Sequence, residues 1–211
     1  MMRLIDEIRE EHRLIDEVAG SLFFWGDRGA DHEYAHDDLE DLIRFLRVYV
    51  HGYHHQREEM LFQALVERGE IPGDHGPLMI LTEEHGAVPA VLDALTANGA
   101  CAESETAAKG LAAEIWQHLD KEETVLLPEA ERRLVDGGVR ELDGPTPSDE
   151  VEAARALGLD LIRRLPPMDD PDLIRGDGCI PCAAFGDTCH GIETEWWSDW
   201  EMEHHRSLDE G

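Results

Sequence analysis

The chain has 211 residues, of which 48 are Asp or Glu and 18 are Lys or Arg, so its formal net charge is −30. This charge excludes a general nucleic-acid binder, because a phosphate backbone would repel it, and it argues against docking on an anionic membrane. Hydrophobic residues make up 42% of the chain, which is enough to build a packed core. The composition therefore predicts a folded protein without a nucleic-acid partner.

No segment approaches the roughly 20 consecutive apolar residues that a transmembrane helix needs. The first dozen residues carry a charge every two or three positions, which is unlike a signal peptide. Of the four cysteines, three lie between Cys179 and Cys189, so the sequence does not suggest a distributed disulfide framework. We therefore expect a soluble, cytoplasmic protein with no membrane association.

Helical periodicity dominates residues 1–136 and divides them into four segments. The first helix carries an apolar stripe and stops within residues 26–29; the stripe includes Ile5, Ile8, His12, Ile15 and Leu22. The second helix is predicted over about residues 31–68, the third over 77–98 and the fourth over about 103–135. Four amphipathic helices with short connections predict an all-α fold, an antiparallel up-and-down four-helix bundle.

Residues 137–211 are predicted to form a C-terminal extension. Pro145-Thr146-Pro147 is a linker, and Ser148 followed by two acidic residues is typical of a helix N-terminus. A short helix is predicted from there to about Leu165. A cysteine cluster follows, and then a group of three tryptophans, Trp196, Trp197 and Trp200.

Each of the four bundle helices has a histidine on or beside its apolar stripe, namely His12, His54, His85 and His118. Two of these histidines are followed four residues later by a glutamate, Glu58 or Glu122. This spacing puts both side chains on one helical face, with Cβ atoms about 5–6 Å apart. Because a buried carboxylate is costly unless it is neutralised, the six residues predict a buried metal site.

Four sequence words in this order resemble the hemerythrin-like, or HHE cation-binding, family. They are EEHR around His12, HHQREEMLF from His54, GPLMILTEEH up to His85 and HLDKEETVLLP from His118. The resemblance covers about residues 1–136. It implies a four-helix bundle around a non-haem diiron centre, in which these four histidines are terminal ligands and Glu58 is one of two bridging carboxylates. Glu122 is the other, and manganese or zinc are alternatives to iron.

The second helix leaves a choice of register open. His55 and Glu59 repeat the spacing of His54 and Glu58 one position later. At about 100° per residue, His54 and Glu58 lie nearer the centre of the apolar stripe, so His55 and Glu59 are expected at the bundle edge or surface. His51 shares the inner flank and is an alternative additional ligand.

The sequence departs from the oxygen-carrying members of the family at Pro89. Those members have a second histidine one turn after the third-helix histidine, and proline cannot bind a metal. The resemblance therefore implies four imidazoles and an open coordination position. Such a site favours redox or peroxide chemistry, nitric-oxide binding or iron sensing over simple reversible oxygen carriage.

The extension offers a second set of metal-ligating residues within twelve positions: Cys179, Cys182, Cys189 and His190. Two thiolates spaced Cys-x2-Cys can bind one ion from a tight turn, so zinc or another thiolate-bound metal is one reading. An iron–sulfur site, a reversible dithiol and free cysteines are the alternatives. Cys101 stands apart from this group and is expected to be structural.

Three functions follow from these patterns. The leading hypothesis is a non-haem diiron protein that binds or reacts with dioxygen, peroxide or nitric oxide. The second is a non-catalytic iron sensor or iron-binding protein whose Cys/Trp tail contacts a partner. The third is a structural zinc protein.

Overall fold

The computed structural model describes residues 2–28, 35–69, 71–74 and 77–170, and most of these residues are helical. Within these ranges there is no β-strand, and the predicted all-helical fold is confirmed. The α-helices are α1 (Arg3–Arg28), α2 (Ala35–Phe45), α3 (His55–Arg68), α4 (Pro77–Asn98), α5 (Ala102–Lys121), α6 (Leu127–Asp136) and α7 (Asp149–Arg164).

Two π-helical segments join α-helices into longer rods. Leu46–His54 connects α2 to α3, and Glu122–Leu126 connects α5 to α6. The bundle therefore consists of α1, the α2–α3 rod, α4 and the α5–α6 rod. A π-helix is wound more loosely than an α-helix and often occurs at functional sites. Here each π-helical segment has a predicted metal ligand at one end, His54 or Glu122.

The rods pack against one another in antiparallel pairs. In α1, Gly26 lies against Glu105 near the start of the α5–α6 rod, whereas His12 contacts Glu123 further along that rod. A Cβ atom at Gly26 would lie 2.7 Å from the Glu105 carbonyl oxygen, so glycine permits this close approach. The α2–α3 rod and α4 are also antiparallel to each other.

The core consists of two apolar clusters with a polar layer between them. Trp25 and Phe45 belong to the first cluster, and Leu61 and Leu126 belong to the second. Every rod contributes residues to both clusters. In each rod the predicted metal ligands lie at the boundary between the two clusters, so the fold brings them together at one level of the bundle.

The helix α7 packs on α2, on α1 and on the first π-helical segment. Its predicted N-cap is confirmed, because the Ser148 hydroxyl accepts a hydrogen bond of 3.3 Å from the Val151 amide. Leu161 is fully buried, and a Cβ atom at Gly158 would lie 2.5 Å from the Phe45 ring. This helix therefore completes the first apolar cluster.

In the ranges that the structure describes, no helix combines the length and the apolar character that crossing a membrane requires. The predicted ligands Cys179, Cys182, Cys189 and His190 lie outside the described residues, as do the three tryptophans. The metal site in the extension therefore stays a prediction.

Candidate metal centre

Seven ionisable side chains meet in the polar layer of the bundle, and all of them are buried. They form two groups, in each of which the candidate ligand atoms lie within 4.8 Å of one another. The first group is His12, His54, Glu58 and Glu122, and the second is His55, Glu58, His85 and His118. Because Glu58 belongs to both, the two groups adjoin.

The carboxylate of Glu58 faces the two groups with different oxygens. Its Oε1 lies 3.2 Å from Nε2 of His12 and 3.0 Å from Nε2 of His54. Its Oε2 lies 3.3 Å from Nε2 of His85. Glu58 therefore stands between the groups with one oxygen directed to each.

Glu122 also contacts one imidazole of each group. Its Oε2 lies 3.3 Å from Nε2 of His12 and 3.4 Å from Nε2 of His118. The residue is fully buried. Both carboxylates at the centre of the layer thus touch histidines from both groups.

The imidazoles of the second group are closely packed. The Nε2 atoms of His85 and His118 lie 3.1 Å apart, and the ring of His55 stacks on that of His85 with centroids 3.8 Å apart. Two facing Nε2 atoms repel each other unless one carries a proton or a cation lies near both. A metal ion would satisfy both lone pairs together.

Several buried atoms of the cluster lack a hydrogen bond to any described residue. They are Nε2 of His54, Nδ1 of His55 and of His85, Oε2 of Glu58 and both carboxylate oxygens of Glu122. An unsatisfied buried polar group costs about 1–3 kcal/mol, and a charged one costs more. Lone pairs that converge without donors are what a cation with nitrogen and oxygen ligands requires. The residues present therefore fit a metal.

Three further carboxylates orient the imidazoles from outside the cluster. The contacts are Glu11 Oε2 to His54 Nδ1 at 2.9 Å, Glu123 Oε1 to His12 Nδ1 at 2.7 Å and Glu84 Oε2 to His118 Nδ1 at 2.8 Å. In each case Nδ1 donates, which leaves the Nε2 lone pair directed at the centre. No role was predicted for these glutamates, although each stands directly beside a predicted ligand in the sequence.

Arg57 links one of these outer carboxylates to the chain that follows the bundle. Its Nε lies 3.2 Å from Oε1 of Glu11, and its guanidinium also pairs with Glu7. Its Nη1 donates to the Tyr53 hydroxyl at 2.6 Å and to the Pro145 carbonyl oxygen at 3.1 Å. A continuous path of polar contacts therefore runs from the cluster to the linker before α7.

The carboxylates favour protonated imidazoles when no metal is bound. Burial lowers the pKa of His54, but Glu58 and Glu11 outweigh burial and raise this pKa to about 9. Neighbouring carboxylates likewise outweigh burial at His12 and His118, and they raise the pKa of both imidazoles. Protons thus balance part of the buried negative charge, and a metal would have to displace them.

The pKa values of His55 and Glu58 are shifted the other way. Burial lowers the pKa of His55 well below its usual value, and the neighbouring His85 lowers it further. Burial raises the pKa of Glu58, but His54 and His12 outweigh burial, and the pKa falls well below its usual range. A neutral imidazole beside an ionised carboxylate is the protonation state that a metal needs.

The cluster contains every bundle residue that the sequence predicted as a ligand, and it adds His55. The expectation that His55 lies at the edge or surface was wrong, because this residue is buried in the second group. The cause is the π-helical segment Leu46–His54, which turns the chain through a smaller angle per residue than an α-helix. Adjacent residues His54 and His55 can therefore both reach the core.

Two other assignments in this region can be compared with the structure. Glu59 is exposed, as the sequence predicted. His51, the alternative additional ligand, is half-buried and its ring centroid lies 5.8 Å from that of His55. It belongs to neither group of ligand atoms. The half-buried Cys101 is a free thiol.

The family model described as Hemerythrin HHE cation binding domain matches residues 3–130 of the chain. The match includes all seven residues of the cluster and the three outer carboxylates. No curated protein and no solved structure matches the chain.

Proposed function

Because the chain belongs to the hemerythrin HHE cation-binding domain family, we propose that it is a non-haem diiron protein that binds or reacts with dioxygen, peroxide or nitric oxide. The observation that carries this proposal is the pair Glu58 and Glu122, whose oxygens contact imidazoles of both groups. Carboxylates placed in this way can bridge two metal ions. Mixed nitrogen and oxygen ligands suit iron, with manganese and zinc as competitors.

Each group of ligands would hold one metal. The first would take imidazoles from His12 and His54, and the second from His55, His85 and His118. When bound, an iron pair supplies the redox and ligand-binding chemistry. The chain places the ligands, orients three of the imidazoles through the outer carboxylates and packs an apolar cluster on each side of the polar layer.

His55 raises the expected number of imidazoles from four to five. Pro89 cannot bind a metal, but His55 supplies a nitrogen to the same group as His85. Two imidazoles would then bind one metal and three would bind the other. The metal with two imidazoles would have more coordination positions free for an exogenous ligand. Both reversible binding and redox reaction fit this arrangement, and spectra recorded over repeated oxygenation cycles distinguish them.

Metal analysis and optical spectroscopy of the purified protein test the proposal. We expect two irons in the bundle and an absorption spectrum that changes with azide, nitric oxide or peroxide. Glu58→Gln keeps the shape of the side chain but removes the bridging charge, so at least one iron should be lost. Glu59→Gln, on the exposed neighbour, should keep both. A colourless zinc-loaded protein, or iron loss only in Glu59→Gln, would refute the proposal.

A second candidate function, iron sensing, is favoured by Arg57. Its contacts with Glu11 and with the Pro145 carbonyl oxygen connect the cluster to the linker and to α7. A sensor should expose residues 139–170 to hydrogen exchange when iron is removed, with little turnover of oxidants. Unchanged exchange in this segment would leave only the first candidate.

A further inference from the structure

A cavity of about 340 Å³ lies directly beside the histidine cluster. Its floor is formed by four imidazoles, those of His54, His55, His85 and His118. Its walls are aliphatic and come from α1, the α2–α3 rod, α4 and α5; they include Ile15, Leu46, Val50, Val88, Leu111 and Ile115. The cavity therefore combines apolar walls with a polar floor made of candidate metal ligands.

The cavity opens to solvent between α4 and α5. Ala87, Glu114 and Gln117 line it and are exposed, so they form its mouth. Glu84 and Lys121 pair with each other at the same lining. The mouth is thus polar and carries two carboxylates and one ammonium group.

The size of the cavity exceeds what dioxygen, nitric oxide or peroxide requires. An apolar cavity of about 150 Å³ already holds benzene. This cavity is more than twice as large, and it reaches the lower limit of ordinary ligand sites, roughly 300 Å³. Water along the aliphatic walls would find few hydrogen-bond partners, so an apolar molecule would displace it favourably.

We propose that the cavity binds a small, uncharged, apolar organic molecule of one or two rings, seated against the imidazoles. The aliphatic walls disfavour a charged ligand. An anion is disfavoured further by the net charge of −30 and by a mouth at which two carboxylates stand against one ammonium group. This inference deepens the proposed function, since the molecule would be a second substrate beside the iron pair. The binding itself does not require iron.

Isothermal titration calorimetry with naphthalene and indole tests the inference on the protein as purified. We expect saturable binding of one molecule per chain with a negative heat-capacity change, as for burial of apolar surface. The anion 2-naphthoate should bind at least about tenfold more weakly, because its charge would enter an apolar space.

Two variants test the location of binding. Val88→Trp fills the cavity from its wall, and Ala87→Trp blocks the exposed mouth without rearranging the core. Each variant should weaken naphthalene binding by roughly tenfold or more, because the indole ring takes up space that the ligand would occupy or enter through. Ala90→Trp lies on the exposed side of the same helix and should change the affinity less than about twofold. Circular dichroism melting and metal content establish that each variant is folded.

The outcomes separate this inference from the proposed function. Absence of saturable binding, equal binding of 2-naphthoate, or equal affinity in all three variants would overturn the cavity proposal. The metal content and the spectrum report the proposed function independently. A zinc-loaded protein that still binds naphthalene in the cavity would refute the iron chemistry and support the ligand site.

Discussion

The hydrogen bond from His54 to Glu11 fixes both the tautomer and the orientation of an imidazole in the cluster. Outer-shell contacts of this kind typically affect metal affinity by about 10- to 100-fold. We expect Glu11→Gln to weaken metal binding by this factor, because the amide is a poorer acceptor and carries no charge. Competition with a chelator measures the affinity.

Glu10→Gln is the matched control, since Glu10 is the exposed neighbour of Glu11. This variant makes the same chemical change one position away and should keep the wild-type affinity. Equal loss of affinity in both variants would mean that the effect comes from net charge and not from the orientation of His54.

Variants of His55 and His51 distinguish a residue that binds the metal from one that only lies nearby. The ring of His55 stacks on His85 within the second group, whereas His51 lies on the outer side of His55. We expect His55→Gln to reduce the affinity for one metal by more than the roughly 100-fold upper range of outer-shell changes. His51→Gln should retain both metals. The metal content of each variant after dialysis against a weak chelator measures this difference. If His51→Gln lost a metal and His55→Gln kept both, the fifth ligand would be His51.

The helical elements could largely be predicted from glycine and proline positions and from apolar stripes. The predicted third helix, 77–98, agrees with α4 at both ends, and the helix predicted from Ser148 agrees with α7. The π-helical segment Leu46–His54 could not be predicted, because the positions of an apolar stripe follow from a constant α-helical rotation, which this segment does not have. This single departure placed His55 on the wrong face.

The outer carboxylates could not be predicted for a different reason. Glu11, Glu84 and Glu123 contact imidazoles that belong to other rods, so their role depends on which helices pack together. Periodicity within one helix carries no information on such contacts. The sequence therefore predicted ligands that share a helical face, but not the residues that orient ligands across the bundle.

The α7 helix contributes to the stability of the bundle through one buried face. Leu161 is fully buried in the first apolar cluster, whereas Leu159 is 46% exposed. We expect Leu161→Ala to lower the free energy of unfolding by about 2–5 kcal/mol, because it removes buried methyl groups and leaves a cavity. Leu159→Ala should change it by less than about 0.5 kcal/mol. Chemical denaturation of both variants checks this, and equal effects would mean that α7 does not dock as described.

At the scale of the whole molecule, the buried charges make the metal-free protein sensitive to pH. His54 has a pKa of about 9 in the folded state, against 6.5 for an unperturbed imidazole, and the pKa of His12 and His118 is raised too. An imidazole whose pKa is higher in the folded state than in the unfolded state stabilises the folded protein below pH 6.5. This contribution disappears as the pH rises to about 9. The lowered pKa of His55 opposes this trend only near pH 6.5, where the unfolded imidazole is still partly protonated.

We therefore expect the metal-free protein to lose stability between pH 6.5 and 9, by on the order of 3 kcal/mol from His54 alone. The groups that face these imidazoles from the surrounding rods are other imidazoles of the cluster, which lower the pKa, and five carboxylates, which outweigh them. The carboxylates are Glu11, Glu58, Glu84, Glu122 and Glu123. Urea denaturation of chelator-treated protein at the two pH values measures the loss. The metal-loaded protein should not show it, because metal replaces the protons. Rising stability of the metal-free protein over this window would contradict the assignment.

The antiparallel packing of α1 against the α5–α6 rod also determines when the centre can assemble during synthesis. His12 precedes Glu123, its hydrogen-bond acceptor, by 111 residues. At about 5–20 residues per second, a ribosome needs roughly 5–20 s to make the intervening chain. During that interval His12 exists without the carboxylate that orients it, so the nascent chain cannot form the complete cluster. We therefore expect metal binding to follow emergence of the fourth rod from the ribosome.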